Sequence, residues 1–284
     1  MTILDRVARS ETVSYTPPMN QRFLAINGIQ LHVTEEGAGP LLLLLHGLSA
    51  NADMMEPEIM GLAQSFRVIA PDLRGHGRSD RPAAYTLHDH VQDMLGLLDA
   101  LEVERAAILG VSMGSYVAQA LSITAPERVS ALVLVVTKAG GTTSSTARYL
   151  AEHAAELQKM TPEQIRLWLG SRMFAPQTPE AVKQGFAAFM AEQERTGMTL
   201  NPQQLEAANR AMEGFDFRPA LPQLNVPTLV ISGRHDILNP PEAGEEVARL
   251  IPNARFEVME DAGHLATLEQ TPQLLELVEP FLRA

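Results

Sequence analysis

The chain alternates short, unbroken apolar runs with longer stretches in which apolar residues recur every three or four positions. The runs LLLLL (41–45), RVIA (67–70), AAILG (106–110) and ALVLVV (131–136) lack the polar alternation of a half-exposed strand. Such runs are expected where helices cover both faces of a parallel sheet. Between them, segments at about 52–65, 87–101 and 113–125 carry helical spacing, the second through Val91, Met94, Leu95, Leu98 and Leu101. Upstream, residues 23–26 and 29–34 flank Asn27-Gly28, a dipeptide suited to a type I′ hairpin because both central positions need positive φ. An antiparallel hairpin therefore leads into a series of βα units.

The pattern changes at TKAGGTTSST (137–146), which is polar and small, and residues 147–213 then read as helices with hardly any strand signal. Strand patterns resume at 227–232 and 254–259, with helices near 242–250 and 271–282. The expected fold is α/β: a mostly parallel eight-stranded sheet with helices on both faces. Residues 1–139 and 216–284 would form the core, and 140–215 an inserted helical cap.

Composition narrows the function. The 284 residues suffice for a large core, and with no cysteine among them, disulfides, thiolate metal sites and cysteine nucleophiles are excluded. A net charge of -12 argues against a nucleic-acid partner, since gripping phosphates takes clustered Lys and Arg. The longest aliphatic run, at 41–45, is far too short to span a bilayer, so no membrane association is expected. The N-terminal MTILDRVARSETVSYTPP has no apolar core of the secretory type, which points to the cytoplasm. No cofactor is expected, and homo-oligomerisation is left open.

The chemistry concentrates at Gly110-Val111-Ser112-Met113-Gly114, a G-x-S-x-G pattern between a strand and a helix. Such a turn lifts a serine hydroxyl clear of the sheet edge, and the helix N-terminus behind it favours developing negative charge. A serine hydroxyl needs a base, and the base needs an acceptor that fixes its tautomer. His264, in DAGHLATLE after strand 254–259, is the candidate base. Asp236, in SGRHDILNP after strand 227–232, is the candidate acid, preferred over Asp261 and Asp216. Both follow strands, and so should emerge at the sheet edge where open α/β folds bind ligands. The other histidines have plainer readings: His32 in a strand, His76 in a loop, His153 in a cap helix, His235 beside the acid. His88 and His90 face apart on a helix, so no metal is expected.

The oxyanion donors would be the amide of Met113 and that of Leu48, in His46-Gly47-Leu48-Ser49, with Gly47 freeing the backbone to turn and His46 structural. Trp168, Met173, Phe174, Phe186, Phe189 and Met190 of the cap are candidate pocket residues, although cap packing explains them equally well.

From LLLLLHGLSAN through APDLRGHGRSD and GVSMGS to PTLVISGRHDILNP and DAGHLATLE, the chain resembles the α/β-hydrolase superfamily. The His-Gly loop, the Ser-Met elbow and the cap are similar to those of enol-lactonases, small esterases and cofactor-free haloperoxidases. The resemblance implies acyl transfer on a small carboxylic ester or lactone through an acyl-enzyme on Ser112. Relatives that open halides or epoxides carry Asp at the elbow, so Ser112 argues against those reactions. Ser115 stands where many relatives have another glycine, a departure expected to alter packing behind the elbow. C–C bond hydrolysis or lyase chemistry with the same residues is the alternative, and a noncatalytic small-molecule receptor is the rival outside enzymes. Neutral His264 is required, so activity should fall below about pH 6 to 7.

Overall fold

The computed structural model describes residues 19–284; the N-terminal stretch read above lies outside the described residues. Eight strands form the main sheet: β1 (Asn20–Ile26), β2 (Ile29–Glu36), β3 (Leu41–Leu45), β4 (Arg67–Pro71), β5 (Ala106–Val111), β6 (Val129–Val135), β9 (Thr228–Gly233) and β10 (Arg255–Met259). A further pair, β7 (Gly140–Gly141) and β8 (Phe215–Asp216), makes a separate two-stranded ribbon. The sheet order is β1-β2-β4-β3-β5-β6-β9-β10, with β2 antiparallel to its neighbours and the remaining pairs parallel. Asn27 and Gly28 both take positive φ, at 45° and 78°, so the β1–β2 connection is the tight turn that the dipeptide predicts.

The five leucines of β3 show why an unbroken apolar run marks a central strand. Leu41, Leu43 and Leu45 point to one side, where α2 (Leu87–Ala100), α3 (Met113–Thr124) and α9 (Pro241–Leu250) cover them and their neighbours. Leu42 and Leu44 point to the other, into the layer of α1 (Glu56–Leu62) and α11 (Thr271–Arg283). Both layers are dry, with Leu42 to Leu45 at 0% exposure, and each leucine so buried contributes about 2 kcal/mol.

Between β7 and β8 the chain is helical: α4 (Ser145–Glu152), α5 (Ala154–Leu157), α6 (Pro162–Arg172), α7 (Glu180–Arg195) and α8 (Pro202–Ala211). Thr161 and Asn201 start α6 and α8 with reciprocal capping bonds to Gln164 and Gln204, followed by proline in the first turn. The ribbon β7–β8, which the sequence pattern did not predict, joins the outgoing and returning chain where these helices leave the sheet. The helices are tied to loops at the sheet edge. Asn51 donates to Gln193 at 2.5 Å, and Arg81 reaches the carbonyls of Gly197, Met198 and Thr199. No helix of the described residues is long and apolar enough to cross a membrane.

The buried face of α2 carries His90, fully buried with neither ring nitrogen hydrogen-bonded, edge-on to Tyr85. Burial depresses its pKa to about 3. Unfolded histidine titrates near 6.5, so between these values the unfolded chain binds a proton that the native state refuses, and stability falls as pH drops from 6.5 towards 3. At pH 5 that costs about 2 kcal/mol. His90→Phe is expected to remove this share of the acid sensitivity, measured as a smaller difference between urea midpoints at pH 7 and pH 5.

Candidate active site

Ser112 sits between β5 and α3 with φ 51° and ψ −115°, a conformation that a residue bearing a Cβ adopts only under constraint. The constraint comes from its neighbours. Its amide donates to the Val135 carbonyl at 2.9 Å, and its carbonyl accepts from the Ser115 amide. A Cβ on Gly110 would lie 2.4 Å from the Gly114 carbonyl oxygen, and one on Gly114 would lie 2.1 Å from that of Leu45. Both glycines are therefore required for the backbone to close on itself. Gly114→Ala is expected to cost about 3 kcal/mol, read as a lower urea midpoint.

The Ser112 hydroxyl lies 3.0 Å from His264 Nε2, and His264 Nδ1 lies 2.9 and 2.8 Å from the two carboxylate oxygens of Asp236. An ionised carboxylate can only accept, so Nδ1 carries the proton and Nε2 is free to accept from Ser112. His264 and Asp236 are buried, at 7% and 4% exposure, while Ser112 is half-buried. Asp236 Oδ1 also accepts the amides of Leu238 and Asn239 at 2.8 and 2.9 Å, which fixes the carboxylate in its turn. Asp261 instead accepts from Gln177 on the surface, and Asp216 pairs with Arg218.

The loop carrying His264 is held by close backbone approach. A Cβ on Gly263 would meet the Met173 carbonyl at 2.4 Å, and that carbonyl accepts the His264 amide at 2.8 Å. Glu269, from α10 (Ala266–Glu269), accepts the amides of Gly263 and Ala175 at 2.8 and 2.7 Å and the hydroxyl of Thr178. One carboxylate thus joins the histidine loop to the segment after α6. The sequence offers no local signal for it, since its partners lie up to 94 positions away.

Leu48 and Met113 line one small cavity with Ser112. The turn expected at Gly47 is made instead at Ser49, whose φ is 61°. Gly47 lies beside the nucleophile, where a Cβ would make ordinary contact with that of Ser112 at 3.5 Å. His46 accepts the Leu73 amide at Nε2, so its Nδ1 carries the proton and donates to the Gly47 carbonyl at 2.8 Å. Burial lowers its pKa and keeps it neutral, in keeping with the structural part expected of it. Asp72, also missed in the sequence, accepts the amides of Ala52 and Arg78 at 2.8 Å and so joins this loop to the one after β4. Burial works to raise its pKa, but bonds from His32 and those amides outweigh it and hold the carboxylate below its usual range.

Leu48, Met113, Tyr116, Ser144, Ser145, Thr146, Met212 and Leu238 complete the cavity around Ser112. The six expected pocket residues lie outside this lining. Trp168 donates to Glu156 and stacks with Tyr149, His153 and Arg172. Phe174 packs edge-on against Phe186, Met173 acts through its carbonyl, and Phe189 and Met190 stand on α7. Apolar residues at helical spacing here meet other helices before they meet the site.

The cavity wall is mostly apolar, with a hydrogen-bonded polar cluster at one side. Asn239 donates to the Tyr116 hydroxyl at 2.7 Å and to the Val136 carbonyl at 2.6 Å, and accepts from Ser145 at 2.6 Å. Val136 is held at φ 48°, costly for a β-branched residue. Its amide and carbonyl are both bonded, to Ile231 and Asn239, which pins it there. Burial pushes Tyr116 up to about 12, so it stays a neutral hydroxyl. Behind the elbow, the Ser115 hydroxyl lies 2.7 Å from that of Thr137, which also accepts from Gln119 at 2.9 Å. The departure at Ser115 therefore adds a buried hydrogen-bond network.

Lys138 follows β6 and is 9% exposed. Burial, with Arg148 nearby, lowers its pKa to about 8.

The mostly parallel eight-stranded sheet with helices on both faces is the α/β-hydrolase architecture. Residues 40–271 match the family model for the alpha/beta hydrolase fold, and the chain belongs to that family. It is 32% identical to a 2-hydroxymuconate semialdehyde hydrolase of Pseudomonas putida, over 94% of this chain and 95% of that protein. A 3-oxoadipate enol-lactonase of Acinetobacter baylyi is 28% identical, over 86% of this chain and 89% of its own length. The solved enol-lactonase of Burkholderia xenovorans superposes with a TM-score of 0.78 at 29% identity, covering 93% of this chain and all of that one, at 100%.

Proposed function

We propose that the protein cleaves a small carboxylic ester or lactone by nucleophilic catalysis at Ser112. The observation that carries this reading is the 3.0 Å contact between Ser112 Oγ and the free Nε2 of a histidine whose other nitrogen is bound to a buried carboxylate. In the first step Oγ attacks the carbonyl carbon while His264 takes its proton, and Asp236 holds the resulting imidazolium. The amides of Leu48 and Met113 stabilise the oxyanion. His264 then returns the proton to the departing alkoxide, and a water activated by the same nitrogen releases the acid. Residues 140–215 act as the cap, and the small cavity, mostly apolar with a few hydroxyls, favours a compact acyl group.

Likeness to an enol-lactonase supports ester or lactone cleavage. The likeness to a 2-hydroxymuconate semialdehyde hydrolase favours a second reading, C–C bond hydrolysis by the same residues. Rates on p-nitrophenyl esters, lactones and a vinylogous 1,5-diketone separate the two. Fluorophosphonate labelling tests what they share: folded protein that resists labelling and cleaves none of the three substrate types would overturn both.

A further inference from the structure

Among the described residues, no carboxylate pairs with Lys138. Its ammonium lies 5.5 and 5.6 Å from the ring centres of Tyr116 and Phe215, and its one hydrogen bond among the described residues is to the Thr143 carbonyl at 3.4 Å. Arg148, the neighbouring cation, is committed to Glu152 and to the Leu238 carbonyl at 2.7 and 2.8 Å. A buried cation without an anion is costly, and proteins normally supply the counter-charge.

The space for Lys138 is also built. A Cβ on Gly141 would stand 2.6 Å from Nζ, so glycine at that position admits the side chain. Tyr116, against which Nζ rests, lines the Ser112 cavity together with Ser144, Ser145 and Thr146, the residues directly after Thr143. These residues begin α4, so its first-turn amides add positive potential to the same wall. Hydroxyls and a helix start therefore line one side of the cavity, and the unpaired ammonium lies against the Tyr116 ring that forms part of that side.

We propose that Lys138 anchors a carboxylate carried by the substrate, so that the preferred esters or lactones are those bearing a second, ionised acid group. This rests on Ser112 as the reacting centre, and the bound anion supplies the partner that the chain itself does not give Lys138.

The test compares 4-nitrophenyl hydrogen glutarate with 4-nitrophenyl valerate, which differ mainly in the distal carboxylate. In Lys138→Met, kcat/KM for the glutarate ester should fall at least 30-fold while the valerate value stays within threefold, and Lys138→Arg should retain most of the preference. Lys138→Gln, run in parallel, covers a folding defect in the Met variant. Glutarate binding to Ser112→Ala, followed by calorimetry, should weaken at least tenfold when Lys138 is also replaced. An unchanged ratio of the two rates in folded variants, or an equal loss on both esters, overturns the proposal. Failure of the wild type to cleave either ester, with Lys138-dependent glutarate binding intact, would count against the esterase reading alone.

Discussion

Ser112→Ala is expected to lower kcat/KM on any cleaved ester by about 10⁴- to 10⁶-fold while leaving the fold in place. The Ser112 hydroxyl would give up its bond to His264 and one to the Tyr116 hydroxyl, which Asn239 and Ser145 still hold. The strained backbone at φ 51° is held by main-chain bonds and glycine contacts that alanine does not disturb. Activity and stability should therefore separate, with melting temperatures within a few degrees and turnover almost gone. Under the proposed mechanism, residual rate would come from the Leu48 and Met113 amides, which the substitution leaves untouched. A variant that keeps more than a tenth of the activity would show that Ser112 is not the nucleophile.

Much of this arrangement was legible in the sequence. Strands β3 to β6 follow from short apolar runs, because a strand covered on both faces has no polar positions to alternate with, and β1 and β2 follow from the Asn27-Gly28 turn between them. Ser112, Asp236 and His264 follow from their places directly after strands, since a parallel sheet sends all such loops to one edge. What periodicity could not give are contacts between distant, irregular segments. Asn239 reaches Tyr116 across 123 positions, and Glu269 reaches Thr178 across 91. Positive φ at Ser49 and Val136 was equally hidden, because serine and valine carry no local preference for it and the tertiary bonds impose it. The candidate pocket residues lie outside the lining of the Ser112 cavity for a related reason. Large apolar side chains on helices signal burial, but not against which surface, and Trp168 and Phe186 find partners within their own segment.

Asp236→Asn should cost about 10⁴-fold in kcat/KM, although the substitution removes a single charge and almost no volume. The reason lies in the bonds on the other side of the carboxylate. Oδ1 accepts two amides, from Leu238 and Asn239, and only an oxygen can do so. An asparagine must therefore keep its carbonyl at Oδ1 and turn its NH2 group to the Oδ2 position, 2.8 Å from His264 Nδ1. That group donates, so Nδ1 must accept and the ring proton moves to Nε2, where it points at Ser112 Oγ. The histidine then faces the nucleophile as a donor, unable to take its proton. Asp236→Ala gives a complementary result. It leaves the tautomer unforced but abandons the two amides, so it should retain more activity than Asp236→Asn relative to its larger loss of stability. Nitrogen-15 chemical shifts of the His264 ring, measured in wild type and in Asp236→Asn, report the tautomer directly. An unchanged Nδ1–H tautomer in an inactive Asn variant would assign Asp236 to charge stabilisation rather than to orientation.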